Sequence, residues 1–583
     1  MSTNLEVDVA IIGGGPAGST VGSLLKKYKP DLGVLILERE KFPRDHIGES
    51  QLPFISRILE EMGVWDQVEA AGFPIKVGAT YRWGRKDQLW DIEFIRNGHF
   101  EPAMRPALFA GQRLQTAFQV DRSRYDEILL NHAESLGCDV RQQTDVTKVL
   151  HEGDQVSGLQ VRGASGEILV RAKHYVDCSG YVGVMRKALG VEVEEPSALK
   201  NIAIWDYWRD AEWAVTLGIE GTRAHILSLG YGWIWFIPIG NGRTSVGLVV
   251  PASYYKQQGV RPAELYKQAL ASDQMICHLL RDATAEGTIR TTKDWSFLAS
   301  RVVGPNWFIC GEAAGFADPI LSAGMTLAHK GARDVAYILL ELERGQLDGS
   351  WLREQYNTTV RRQIGQHIRF ADFWYSQNGQ FSDLKDHARE ISQDAGLHLN
   401  SDEAFRWLGT GGFIDNTAST NMGGFKLTIT KSIASLFLDE SVNYNIFGKT
   451  HFQLDLTGAT QSCVANFHEG RIRRSPSYFR DGKYLPMIGF TEFLARGLTQ
   501  ERTTEQIFQA MENLRTDYLA SRPEDAPYFP MLVIEALEAM ILDGWVKCRT
   551  VEGFTGWPRF TLDTDQFVHD NRDASRVPSS DTP

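Results

Sequence analysis

The opening of this chain constrains its fold more than any other stretch. Val7-Asp8-Val9-Ala10-Ile11-Ile12 is a β-branched run, Gly13-Gly14-Gly15-Pro16-Ala17-Gly18 follows without a spacer, and Pro16 to Lys27 has a helical pattern. A second apolar run, Gly33-Val34-Leu35-Ile36-Leu37, ends on Glu38. Strand, glycine turn, helix, strand and acid in that order describe a βαβ unit built to hold a dinucleotide. Gly13, Gly15 and Gly18 take the three glycine positions: tight turn, close approach of backbone to pyrophosphate, and close helix-to-strand packing. Ala17 lies in the same turn, and Glu38 is the expected partner of ribose hydroxyls.

A later segment selects FAD over a nicotinamide dinucleotide. Asn306 to Cys310 reads as a strand, Gly311-Glu312 ends it, and a loop through Asp318-Pro319 enters a helix near Gly324 and Met325. In FAD enzymes of the glutathione-reductase type such a second fingerprint sets a carboxylate on the ribityl chain, here Glu312 where Asp is usual. A helix N-terminus then faces the flavin, where its dipole favours negative charge on the reduced ring. Arg122, in Val120-Asp121-Arg122-Ser123-Arg124-Tyr125-Asp126, either reaches the cofactor or lies on a helix surface. Val176 to Gly180 is either the turn beneath the adenine half or a plain strand-to-loop turn.

At 583 residues the chain is too long for one core, so two or three domains are expected. The net charge of −12, with no dense Lys/Arg run, excludes nucleic acid and anionic membrane surfaces as natural partners. Six cysteines scattered without Cys-x-x-Cys spacing argue for no metal and for a reducing compartment. With no basic-then-apolar leader and no run near the ~20 apolar residues of a membrane helix, a cytoplasmic protein is expected.

Three further segments carry a resemblance. Lys76 stands seven residues before the tryptophan of Trp83-Gly84; Gly232-Trp233-Ile234-Trp235-Phe236-Ile237-Pro238 contains a Trp-x-Trp-x-Ile-Pro run; and Asp318-Pro319-Ile320-Leu321-Ser322-Ala323-Gly324-Met325 is a loop entering a helix. Together with Pro43-Arg44 and Ile47-Gly48-Glu49-Ser50, they make residues 5 to 345 resemble the flavin-dependent halogenases. The resemblance implies that reduced FAD and O2 give a C4a-hydroperoxide, that chloride or bromide attacks its distal oxygen, and that hypohalous acid passes through a tunnel to a lysine. Lys76 takes that catalytic place, and Trp233, Trp235, Ile237 and Pro238 take the tunnel and flavin wall. Arg44, Glu49, Ser50, Arg122, Glu312, Pro319, Gly324 and Met325 join the glycines as cofactor contacts, and the halide falls at Ser322, Ala323 and Gly324. Backbone N–H groups at a helix start suffice for a monovalent anion. Taken singly, Lys76 also fits a side chain snorkelling at a strand edge, and the tryptophans an ordinary half-buried strand.

Tryptophan halogenases carry a glutamate just before the loop serine, where this chain has Leu321. That departure points to phenols, pyrroles and carrier-bound or otherwise activated acceptors rather than free tryptophan. The absence of a second complete dinucleotide fingerprint implies a separate NAD(P)H-dependent flavin reductase as partner. Rival readings are an FAD-dependent aromatic monooxygenase, a geranylgeranyl-reductase-like flavoenzyme and a non-enzymatic flavin-binding scaffold.

The expected fold class is therefore α/β: a glutathione-reductase-type FAD-binding fold with a Rossmann βαβ unit and a mixed substrate-side sheet in residues 1–360. A mainly helical substrate-capping region, 361–503, follows it. Two helices and a small hairpin suggest a winged-helix-like module over 504–570, and 571–583, rich in Asp, Ser and Pro, reads as a disordered tail.

Overall fold

The computed structural model describes residues 3–84, 87–94, 116–164, 166–195, 199–212, 221–293, 296–376, 378, 380, 421–422, 425–426, 444–521, 529–558 and 568–570. Contacts divide the chain into one unit of Met1–Ala395 with His569–Pro583 and a second of Gly396–Val568. The expected tail 571–583 and most of 377–443 lie outside the described residues.

The first unit is built on two sheets. Strand Thr3–Ile12 pairs in parallel with Val34–Leu37 on one side and with Gly166–Asp177 on the other, and Trp307–Ile309 extends the parallel set. The helix Pro16–Tyr28 connects the first two strands, with Pro16 at its start and Lys26 and Lys27 in its last turn, where cations oppose the negative dipole end. The βαβ unit is thus present as the first glycines imply. Asp139–Arg141 pairs in parallel with the outer side of Val34–Leu37, and the antiparallel strands Gln155–Gly163 and Asp145–Glu152 complete this sheet.

The second sheet is mixed. Asn201–Arg209, Arg243–Pro251, Gly232–Gly240 and Gly221–Leu229 run antiparallel in that order, and Gly221–Leu229 then pairs in parallel with Ile75–Arg82. One face of it buries Ile204, Leu227, Ile234, Phe236, Val246 and Leu248 against the helices Pro262–Ser272 and Gln274–Leu279. The other face looks to the dinucleotide half.

Helix Gly349–Ser376 crosses the expected boundary at 360, because Leu352, Tyr356, Val360, Ile364 and Ile368 form one continuous buried stripe at helical spacing. The second unit also departs from expectation. Residues 444–503 are not mainly helical: Thr460–His468, Arg471–Arg480 and Lys483–Pro486 form an antiparallel sheet. Asp481 and Gly482, both at positive φ (51° and 76°), make the two-residue turn that matches strand twist. Helices Gly489–Gly497, Thr504–Ser521 and Phe529–Leu542 share a core of Phe452, Leu494, Val533, Leu537 and Trp545 with the strands His451–Leu454 and Val546–Arg549. That core joins residues on both sides of the expected division at 503/504. Among the described residues no helix is long and apolar enough to cross a membrane.

Candidate active site

A cavity of about 490 Å³ opens between the two sheets of the first unit, within the range of small-molecule and cofactor sites. Gly13, Gly15 and Ala17 line it, at the N-terminus of the helix Pro16–Tyr28. A Cβ on Gly13, whose φ is +103°, would stand 2.4 Å from the Cys178 carbonyl oxygen, and one on Gly18 would stand 1.9 Å from the Gly13 oxygen. Gly18 therefore holds the turn closed from behind rather than lining the cavity. Glu38 lines the cavity and braces the turn as well: its Oε2 accepts from Gly14 N at 2.7 Å and its Oε1 from Glu40 N at 2.9 Å.

Arg44, Glu49, Ser50 and Arg122 all reach the wall. Arg122 donates bidentately to Asp126 (2.7 and 2.9 Å) and to the carbonyls of Ile47 and Gly48 (2.8 and 3.2 Å), so it also shapes the loop that carries Glu49. Burial pushes the Glu49 carboxyl up to about 7 despite the hydroxyl of Tyr207, which donates to it at 2.9 Å. Burial lowers the Arg44 guanidinium, and its buried Nη1 has no hydrogen-bond acceptor although Asp126 lies 3.4 Å away. A half-buried guanidinium with one donor unused, beside a glycine-lined helix N-terminus, fits the pyrophosphate of FAD. Glu312 faces the same cavity from the turn Gly311–Ala313, its carboxyl raised by burial.

Pro319, Ser322, Gly324 and Met325 contribute the far wall, where the turn Pro319–Leu321 leads into helix Gly324–Arg344. Ser322 is left-handed (φ 56°) and its N–H bonds to the Pro319 oxygen at 3.0 Å. The first amides of that 21-residue helix have no intrahelical acceptor. Ala323 is buried beneath the wall and does not line it. The side chain of Leu321 lies outside the described residues.

Trp233, Trp235 and Ile237 share one face of the strand Gly232–Gly240 and line the cavity together. The two indoles sit 6.0 Å apart, and Gly247 on the next strand leaves room for the Trp235 ring, 2.1 Å from where a Cβ would be. Pro238 does not line the cavity, a correction to the expected wall: strand alternation turns it to the side opposite Trp233 and Trp235.

Lys76 does not line the cavity, and its partner Thr222 stands four positions along the strand from Ile226, the partner of Trp235. The lysine is 2% exposed, and its Nζ donates to the carbonyl of Gln51 at 3.0 Å, one residue from the cavity-lining Ser50. The Phe94 ring stands 5.3 Å from the amine, and burial lowers its pKa to about 7. A register shift between Thr222 and Arg223 pairs Lys76 with Thr222 and Gly78 with Arg223. That bulge carries Lys76 to the side of Ala224 and Ile226, both on the cavity wall.

Several wall residues carry no sequence signature, among them Ala203, Ala224 and Ile226. Period-2 alternation alone would have found Ala224 and Ile226 once their strand was recognised.

The sequence matches the FAD binding domain family over residues 6–371. It is 30% identical over 368 residues to the tryptophan 2-halogenase of Chondromyces crocatus, an alignment covering 62% of this chain and 66% of that enzyme, just under two thirds of its length. It is 29% identical over 389 residues to the 1H-pyrrole-2-carbonyl-[peptidyl-carrier protein] chlorinase of Pseudomonas fluorescens, covering 65% of this chain and 85% of the relative. The solved structure of the flavin-dependent halogenase CmlS shares the fold with a TM-score of 0.71 at 24% identity, over 97% of this chain and 100% of that one.

Proposed function

The chain belongs to the flavin-dependent halogenases within the FAD-binding-domain family, and from that membership we propose that it halogenates an electron-rich organic acceptor, with Lys76 directing the oxidised halogen. The single observation that carries the reading is the place of Lys76: a desolvated amine that does not line the cofactor cavity but is bonded to the carbonyl next to the cavity-lining Ser50.

Gly13, Gly15, Ala17, Glu38, Arg44, Glu49, Ser50, Arg122, Glu312, Pro319, Gly324 and Met325 would hold FAD. When bound and reduced, FAD supplies the electrons that activate O2. Trp233 and Trp235 would wall the flavin side of the cavity, keeping an organic molecule from it while a small inorganic oxidant travels on to Lys76. The amides of Ser322, Ala323 and Gly324, at the positive end of a long helix, would hold chloride or bromide. With its pKa near 7, the Lys76 amine has a substantial neutral fraction at neutral pH. A neutral amine with one weak acceptor can bind or capture electrophilic halogen and aim it at carbon.

Reduced flavin would arrive from a separate NAD(P)H-dependent reductase. The carrier-protein substrate named for the Pseudomonas relative makes a carrier-tethered pyrrole or phenol the leading acceptor, with free small molecules next. Helices Thr504–Ser521 and Phe529–Leu542 would belong to a winged-helix-like module over 504–570 that docks a protein partner rather than nucleic acid, although the strand Val546–Arg549 pairs with His451–Leu454 rather than within a following hairpin. The test is mass spectrometry of turnover mixtures containing a flavin reductase, chloride or bromide, and phenolic, pyrrolic and carrier-tethered acceptors. The expected product has halogen in place of hydrogen with the matching isotope pattern; a product bearing only one added oxygen would replace this reading with hydroxylation.

A further inference from the structure

One phenol joins two walls of the cavity. Trp233 Nε1 donates to Tyr375 Oη at 2.7 Å, and Tyr375 donates to the carboxylate of Asp318, 3.2 and 3.3 Å from its two oxygens. Asn201 Nδ2 donates to both, at 3.4 Å to Tyr375 Oη and 3.3 Å to Asp318 Oδ2. Asp318 Oδ1 also accepts from Ile320 N at 2.9 Å, which caps the turn leading to Ser322 and the helix Gly324–Arg344.

All four side chains are buried. The hydroxyl of Tyr375 uses its one proton and both lone pairs, a full complement. Burial alone would be served by phenylalanine, since an unpaired hydroxyl costs free energy. Tyr375 comes from the long helix Gly349–Ser376, far in sequence from both the tryptophan strand and the turn. Its hydroxyl therefore couples Trp233 on one wall to the capped turn on another.

Resting on the halogenase reading, we propose that Tyr375 is a positioning residue that fixes the tryptophan wall and the Asp318-capped turn as one unit, setting the halide-holding amides of Ser322 to Gly324 at a defined distance from Trp233. Without its hydroxyl, the indole N–H loses its acceptor and Asp318 loses a donor, so wall and turn move independently.

The test is bromide titration of the FAD-loaded full-length protein, followed by the change in flavin absorbance, for wild type, Tyr375→Phe, Trp233→Phe and the double variant. Tyr375→Phe is expected to weaken bromide by roughly tenfold or more while FAD content stays close to wild type, and to lower the melting temperature modestly because the buried Trp233 N–H and Asp318 carboxyl each lose a partner. Trp233→Phe removes the donor at the other end and should weaken bromide similarly. The double variant should then be no weaker than the worse single one by more than about twofold, because both remove the same link. Bromide affinity within about twofold of wild type in Tyr375→Phe, or losses that simply multiply in the double variant, would overturn the proposal. Should Tyr375→Phe fail to fold, unchanged affinity in Trp233→Phe overturns it equally. A wild-type protein without any bromide response would bring down the halogenase reading and this inference with it; an intact response in the variants brings down the inference alone.

Discussion

The dinucleotide cradle and the side of the molecule that carries the tryptophans and Lys76 are built in opposite ways. The cradle is backbone and charge: absent Cβ atoms at Gly13 and Gly18, amides at a helix start, and the Arg44–Asp126–Arg122 cluster. The other side is side-chain bulk: Trp83 packs against Trp233, Trp374 and Tyr375, and Lys76 is a buried amine holding one carbonyl. The cradle cannot accept an added methyl group, whereas Lys76 carries the penalty of an amine kept from water. Binding and selectivity are thus separable, and variants on the two sides should fail in different ways.

The largest expected effect lies in the cradle. Gly18→Ala would drive a methyl group into the Gly13 carbonyl. It should cost several kcal/mol and yield protein purified without FAD, read by absorbance and melting temperature. A well-folded variant with full FAD content would show that the turn is not the rigid element described.

Next comes Lys76, where the expected sign is reversed. The Lys76 amine falls to about 7 in the folded chain from 10.5. Between those values the unfolded chain carries a proton that the folded chain has shed, so stability rises with pH across that window. Below it both states are protonated, and the folded state bears the full penalty, on the order of 3–5 kcal/mol. Lys76→Met removes the penalty. It should raise the melting temperature at neutral pH, with the gain shrinking towards about pH 10. A gain independent of pH would mean that the amine is not desolvated.

A smaller change separates binding from wall chemistry. Arg44→Met should weaken FAD by roughly 10- to 100-fold, as expected for a lost charge-assisted contact, measured by equilibrium titration. With saturating FAD, the ratio of halogenated product to hydrogen peroxide should remain that of the wild type. A changed ratio would mean that the cradle also governs selectivity.

This division governs what the sequence makes legible. Gly13, Gly15, Gly18 and Glu38 are read from a contiguous run because strand, turn and helix are local. Trp233, Trp235 and Ile237 are legible as one face by alternation, and the same alternation argues against Pro238. The side chosen by Lys76 depends on a bulge between strands far apart in sequence, which no local pattern announces. Tyr375 carries no signal either, since its three partners come from elsewhere in the chain. The hairpin turn at Asp481-Gly482 was written plainly, yet the helical reading of 361–503 passed over it.

The most direct test of the central claim is the FAD-loaded Lys76→Met variant, supplied with a flavin reductase, O2 and bromide, with acceptor bromination counted by mass spectrometry against oxygen consumed. Oxygen uptake should stay close to wild type while brominated acceptor falls by at least ~100-fold, the scale of losing a positioned catalytic group. Bromination per oxygen equal to the wild type would contradict the claim.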